Sequence, residues 1–410
     1  MDTVQPKLWT KDFIIISAAN FCVGLAFYLL MTNIAVYAAG EFNASQSMAG
    51  LASSIFIIGA LVFRLFAGKY IEIIGRKKML MGGLALFLLS VLSYFPVQNL
   101  NLLLLVRFIH GAAYGISATA MATTVMDIIP RERLGEGTSY YSMSATLATA
   151  IGPFLGVFVS LRFDFTMVFL VCTIFSVISM VIALLAHIPE ARINKKQLEA
   201  LKGFKITNFL EAKAIPISII IFLMGFSYSS VMSFLTSYAE SIDLIDAASV
   251  FFLFYAVFIL ISRPFTGRLF DIKGANVVIY PALIIFALGL MLLGLTTTGF
   301  TLLLAGAIIG LGYGTMVSCC QAIAVKESPS HRVGLATSTY YICLDGGVGI
   351  GPFLLGFLIQ VVGFKGMYVA LAALVLACIF GYYLLHGKKE SRRLKDNYIT
   401  ASDSFNNSAS

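Results

Sequence analysis

Long apolar runs separated by short polar breaks follow one another along the whole chain. Twelve runs stand out, at roughly 13–38, 47–69, 79–97, 100–125, 138–160, 165–187, 214–238, 247–269, 276–297, 300–324, 333–361 and 365–386. Each is close to or above the ~20 apolar residues that carry a helix across a bilayer core. None alternates apolar and polar positions at period two, as a membrane β-barrel strand would. A helix satisfies its own backbone polar groups in lipid, so the pattern predicts an all-α integral membrane protein with twelve transmembrane helices. The first run exceeds the ~7–15-residue apolar core of a signal peptide and is expected to be a retained span.

Composition agrees: 59% of the 410 residues are hydrophobic and 12% charged, against about 25% charged in soluble domains. Lys and Arg outnumber Asp and Glu, 28 to 20. A basic balance alone would admit a nucleic-acid partner, but here the bases form short clusters between apolar runs, so topology explains them and no nucleic acid is expected. With the N-terminus inside, Lys and Arg gather in the segments on that side. They lie at the N-terminus, 69–78, 131–133, 188–213, 268–273, 326–332 and the C-terminal tail, while the opposite loops hold only Arg162 and Lys365. The bias places both termini in the cytoplasm.

The longest connector, with "ARINKKQLEALKGFK", divides the chain. An N-terminal six-helix bundle is expected over 1–187, a cytoplasmic central loop over 188–213, and a C-terminal six-helix bundle over 214–387. The tail, 388–410, is basic and then Ser/Asn-rich. Its start is expected to meet anionic membrane lipids and its end to be disordered. The six cysteines fall in apolar runs without a CxxC pair. They read as small buried hydrophobes, with no metal or disulfide framework.

The two halves superpose at one offset of 199 residues. Arg64 meets Arg263, Gly68 meets Gly267 and Gly75 meets Gly274. "LVRFIHGAAYG" (105–115) meets "LAGAIIGLGYG" (304–314), and "GPFLG" (152–156) meets "GPFLLG" (351–356). A constant offset over separated landmarks implies parallel repeats related by an axis along the membrane normal.

At these residues the chain resembles the major facilitator superfamily, in its twelve-span drug/proton antiporter branch. The loop "GKYIEIIGRK" (68–77) is similar to the signature G-x-L-a-D-r-x-G-r-k, with Tyr70 for Leu and Glu72 for Asp. "RFIHG" (107–111) is similar to R-F-x-Q-G, with His110 for Gln, and "AIGPFLG" (150–156) to the exporters' G-P motif. Two departures stand out: the first span reads "LLMTNIAVYAA" without that branch's proline motif, and it holds no acid. The resemblance implies two six-helix pseudo-repeats and an inner-gate charge cluster of Glu72, Arg76 and Asp127. The other reading of that cluster is a solvated topological anchor. Gly68 and Gly75 allow close helix contact and a tight turn there.

Three groups inside spans are candidates for proton coupling or cavity charge. Arg107 lies about 10 Å below the outer end of its span, and His110 follows at i+3, about 15 Å deep, on the same face. Intramembrane Arg is costly and faces a cavity or partner, or else snorkels outward. His110 is either a proton carrier or a satisfied helix contact. Asp345 lies about 18 Å into span 11. It is either a proton or cation site or one member of a structural pair across the half–half interface. Gly152–Pro153 and Gly351–Pro352 are candidate hinges, because proline removes a backbone donor and glycine permits close packing. Asn20, Tyr28, Asn33, Tyr228 and Gln321 are candidate cavity residues, with helix–helix contact the alternative for each.

"GLGYG" (310–314) lies inside an apolar run and lacks the Lys-Ser/Thr of a phosphate loop, so nucleotide drive is not expected. No catalytic triad is legible, so no enzyme is expected. The cofactor expectation is none, with a proton gradient as driving force. Together these features predict proton-coupled efflux of small amphipathic or cationic organic compounds, such as drugs, by alternating access. The alternative is export of one specific metabolite: an opine-type metal chelator, a sugar or a lipid-like molecule. A non-transporting membrane sensor is the remote alternative. The expected partners are a small-molecule substrate, protons and membrane lipids. A monomer in a bacterial-type plasma membrane is expected.

Overall fold

The computed structural model describes residues 6–189 and 208–392. Most of the expected central loop (190–207) and of the tail (393–410) therefore lies outside the described residues. Every long element among them is a helix. In the N-terminal half these are α1 (Lys11–Phe42), α2 (Gln46–Ile74), α3 (Arg76–Leu92), α4 (Leu100–Ile128), α5 (Leu134–Arg162) and α6 (Phe165–Leu184). In the C-terminal half they are α7 (Ile215–Ser241), α8 (Ile245–Lys273), α9 (Ala275–Gly294), α10 (Gly299–Glu327) and α11 (Val333–Tyr382). Ten helical stretches among the described residues are long and apolar enough to cross a membrane.

Local chemistry sets the helix starts. Thr10, Asn99 and Asp164 accept hydrogen bonds from the backbone N–H groups of Phe13 (3.2 Å), Leu102 (2.9 Å) and Met167 (3.1 Å). Each satisfies a donor that the first helical turn leaves unpaired. Thr298 and Thr301 form a capping box at the start of α10.

The structure repeats at the offset of 199 residues. α2 and α8 match end to end, as do α4 and α10. The 3₁₀ turns Arg131–Arg133 and Ser330–Arg332 match as well. Gly75 and Gly274 make the same turn, with φ 98° and 86°. α11 is 50 residues long; unbroken it would extend about 75 Å, more than twice the ~30 Å of a bilayer core. It is interrupted at Gly363 (φ 69°, ψ 178°), the counterpart of Asp164, which starts α6. Beyond residue 387 the chain stays helical to 392, five residues into the expected tail.

Within the N-terminal half, α1 packs on α5 and α6, and α2 and α3 on α4. The C-terminal half repeats this with α7 on α11 and with α8 and α9 on α10. The halves meet through α2 with α11 and through α5 with α8, two contacts that the repeat relates to each other. Small residues make the close crossings. A Cβ on Gly111 would run into the Phe56 carbonyl, and its counterpart Gly310 faces the Tyr255 carbonyl in the same way. Apolar side chains cover the outside: Phe300 is 75% exposed and Val361 82%, as lipid contact permits. The six cysteines are free, and all but Cys343 are buried.

These crossings predict a graded loss of thermal stability in detergent. Gly111→Leu should overpack the α2–α4 crossing, which costs roughly 1–3 kcal/mol or more. A Cβ at Gly363 would meet nothing within 4 Å, so Gly363→Ala isolates backbone strain of about 1–3 kcal/mol. Both should lower the unfolding midpoint. An unchanged midpoint for Gly363→Ala would mean that this conformation does not hold the break.

Candidate functional site

Two layers of polar contacts join the halves near the Gly75 and Gly274 turns. The first lies at the helix ends. Gly75 turns the chain so that Arg76, at the start of α3, folds back onto α2. Its guanidinium binds Glu72 through both carboxylate oxygens (Nη2–Oε1 2.7 Å, Nε–Oε2 3.1 Å) and also pairs with Asp127 at the end of α4. Arg76 is fully buried. The structure thus brings together all three residues of the expected charge cluster, and ties α2, α3 and α4 within one half.

The contact that crosses between the halves comes from the other copy. Asp271 is the counterpart of Glu72, but Ala275 stands where Arg76 would be. Its carboxylate instead accepts the backbone N–H groups of Gly135 (2.7 Å) and Glu136 (2.8 Å) at the start of α5. Those donors have no partner within α5, and the helix dipole favours an anion there. The two glycines of the repeat permit the approach. Gly68 lies against Ser338 of α11, whose hydroxyl donates to the Arg64 carbonyl (2.6 Å), and Gly267 lies against the Gly135 carbonyl and Ser139. Of the interface helices, α5 and α11 are buried at this end, at Thr138 and Ala336, and more exposed toward the other, at Phe154 and Phe353.

One to two turns deeper lies the second layer. Arg64 of α2 pairs with Asp345 of α11, Nε to Oδ2 at 3.0 Å. The arginine side chain is 3% exposed and the aspartate 29%. The guanidinium also lies 4.7 Å from the Tyr341 ring centroid and 5.6 Å from that of Tyr114. Such contacts stabilise a desolvated cation further. Tyr341 reaches Gln321 (3.4 Å). Tyr28 lies near Asp345 and near Tyr228, which stacks on Tyr313 (4.1 Å) and Tyr255 (5.4 Å). Arg263 of α8, the counterpart of Arg64, is buried next to this group.

The three candidates for coupling or cavity charge lie in different places. Arg107 and His110 lie inside the N-terminal half, fully buried. Arg107 donates to the carbonyl of Ala52 (2.8 Å), and its guanidinium lies 4.6 Å from the Phe56 ring centroid. His110 shares a hydrogen bond with Tyr94 (Nδ1, 3.1 Å) and packs on Phe87 and Phe56. Both make contacts within their own half, separate from Asp345, and the His110 Nε2 is buried without a hydrogen-bond partner. Asn20 is likewise occupied by Ser144 (2.8 Å), and Asn33 by its own helix at Leu29 (2.8 Å). Of the cavity candidates, Tyr28, Tyr228 and Gln321 adjoin the central cluster. Gly152 abuts Tyr28 on α1, while Gly351 abuts Ser229 on α7. α5 and α11 stay helical through Pro153 and Pro352.

Arg64, Arg263 and Asp271 were not among the candidates. Two arginines inside apolar runs, matched at the repeat offset, were the available signal for the first two. Asp271 was marked only as the repeat counterpart of Glu72; its partners are backbone N–H groups, which leave no sign in the sequence.

Comparisons with known proteins fit this architecture. The staphylopine export protein of Staphylococcus aureus is 23% identical over 364 residues, covering 84% of this chain and 88% of its own. The multidrug resistance protein MdtG of Dickeya zeae is 23% identical over 406 residues, 96% of this chain and 99% of its own. The crystal structure of the human organic anion transporter MFSD10 (TETRAN) superposes with a TM-score of 0.74 at 14% identity, over 93% of this chain and all of the other. It shows the same fold. The family model of the Major Facilitator Superfamily matches residues 16–344 and 245–399. Matched over most of its length, the chain belongs to the major facilitator superfamily of transporters.

Proposed function

We propose that this protein is a secondary active transporter that exports a small amphipathic organic molecule in exchange for protons, by alternating access. The observation that carries the reading is the Arg64–Asp345 pair. It joins α2 to α11, and so one half to the other, while leaving the carboxylate partly exposed. Protonating Asp345 removes the charge that holds Arg64. One proton then weakens a bond between the halves, which is the differential effect on two conformations that coupling requires.

The membrane arrangement belongs to the same proposal. The matched repeat supports twelve spans, with α3 as the counterpart of α9 and α11 counted as two helices about Gly363. The excess of Lys and Arg supports a cytoplasmic position for both termini and for the Gly75 and Gly274 turns. The contacts at Asp271, Gly68 and Gly267 then close the cytoplasmic side, and the described conformation faces outward. A proton entering from outside reaches Asp345, loosens the Arg64 bridge and favours inward opening. Proton loss to the cytoplasm and substrate binding re-form the bridge and return the site outward. The protein works as a monomer in the plasma membrane.

Two arginines against one aspartate leave the centre net positive, so a cationic drug fits it poorly. An amphipathic molecule without positive charge fits better, with the aromatic rings of Tyr28, Tyr228 and Tyr313 against its apolar part. A second reading, export of one specific metabolite such as an opine-type chelator, is favoured by the same charge balance and by the similarity to the staphylopine export protein.

Three outcomes are expected. Asp345→Asn should abolish transport driven by a pH gradient in everted vesicles while leaving substrate binding in place; unchanged proton-driven transport would remove Asp345 from the mechanism. Asp271→Asn weakens two hydrogen bonds to a charged acceptor. A loss of about 2 kcal/mol corresponds to roughly a 30-fold shift toward the inward-open population. Distances between spin labels at Lys77 and Asn276 should lengthen accordingly, and distances that stay as in the wild type would count against a gate. Proton release on adding a panel of dyes and drugs would support broad efflux. A response to one metabolite alone would establish the second reading.

A further inference from the structure

Arg64 and Arg263 occupy equivalent places in the two halves, yet only one has an acid. The position equivalent to Asp345 is Thr146, whose hydroxyl donates to the Ser142 carbonyl of its own helix (3.2 Å). Arg263 is 2% exposed and makes no hydrogen bond or ion pair among the described residues; its Nε and Nη1 are buried without a partner. The titratable side chains near it include Tyr255, Tyr340, Tyr341 and Cys319. None is an anion; Tyr340 donates to the Val317 carbonyl (2.6 Å), Tyr341 donates to Gln321 (3.4 Å), and Tyr255 stacks on Tyr228 (5.4 Å). Asp345 is taken by Arg64. Asp271, two turns along α8, is held by Gly135 and Glu136.

A guanidinium buried without a counter-ion is costly, more so at membrane depth. Here the missing partner adjoins the central cluster, because Tyr341 interacts with both Arg64 and Arg263. We infer that Arg263 is a binding group for the carried molecule, and that this molecule presents a single carboxylate to it. This inference rests on the transporter reading and names its substrate class. Charge balance argues for one negative charge: two arginines, Asp345 and one carboxylate sum to zero, whereas a dianionic phosphate would leave the centre negative. The planar guanidinium fork matches a carboxylate in two parallel hydrogen bonds. The rest of the molecule is apolar and flat. Tyr255, beside Arg263, belongs to the stack of Tyr228 and Tyr313.

The test uses the purified full chain in lipid nanodiscs. The probes are 2-naphthoate, its neutral amide, the cationic 2-naphthylmethylamine and inorganic phosphate, with affinity measured by calorimetry. Naphthoate should bind at least about tenfold more tightly than the amide, since a hydrogen-bonded charge contributes roughly 1.5–3 kcal/mol. Arg263→Gln should erase that preference, and Arg263→Lys should retain only part of it, keeping the charge without the fork. Thr146→Asp should place a fixed carboxylate in the vacant equivalent position. It should abolish naphthoate binding and raise the thermal midpoint of the empty protein, which keeps the test decisive if Arg263→Gln does not fold. Tighter binding of the amine or of phosphate than of naphthoate would overturn the inference, as would naphthoate affinity unchanged in Arg263→Gln. Binding needs no proton gradient. Arg263-dependent naphthoate binding without proton-driven transport would therefore sink the proton-coupled export reading and leave Arg263 standing as a carboxylate-binding group.

Discussion

A positive charge inside a membrane must be given a partner, and the centre of this protein is arranged around that requirement. Arg64 meets it with Asp345, a residue of the other half. The pair therefore does two things at once. It neutralises a buried guanidinium and it fixes α2 against α11. The carboxylate is 29% exposed; in the proposed mechanism a proton reaching it would open the pair, and a local titration would change how the halves are held.

The helices can hold such a pair only because they approach closely. Gly111 and Gly310 bring α4 onto α2 and α10 onto α8 inside each half. Gly68 and Gly267 do the same between halves, where Ser338 and Ser139 fill the space. Lipid offers no hydrophobic force between helices, so packing and polar contacts of this kind determine the assembly. The two ends of the interface differ as a result. Near the Gly75 and Gly274 turns the halves are joined by backbone and carboxylate contacts; toward the opposite end α5 and α11 are more exposed, at Phe154 and Phe353.

Duplication supplied the frame, and divergence supplied the chemistry. The repeat keeps turns, caps and crossings in register, but the charges differ between copies. Glu72 is held by Arg76 of its own half, whereas Asp271 lacks that arginine and reaches across to α5. Arg64 has an acid, and Arg263 does not. Each difference is one or two substitutions at equivalent positions. Together they make a symmetric scaffold carry an asymmetric site.

The sequence by itself determined what depends on local pattern and on solvent. Apolar run length gave the helices, the 199-residue offset gave the repeat, and the charged turn 68–77 gave the Glu72, Arg76 and Asp127 cluster through its resemblance. The break near Gly363 was also legible, as a gap between two apolar runs. Only the tertiary structure decided which buried polar groups share a site. Arg107, His110 and Asp345 all looked like intramembrane charges awaiting a partner. Folding gave the first two partners within their own half, from Ala52 and Tyr94. It gave Asp345 a partner 281 positions earlier in the sequence, Arg64. Nothing local encodes such a pairing. It exists because helices distant in sequence cross at small residues, and the crossing sets which side chains lie within a few ångströms of one another.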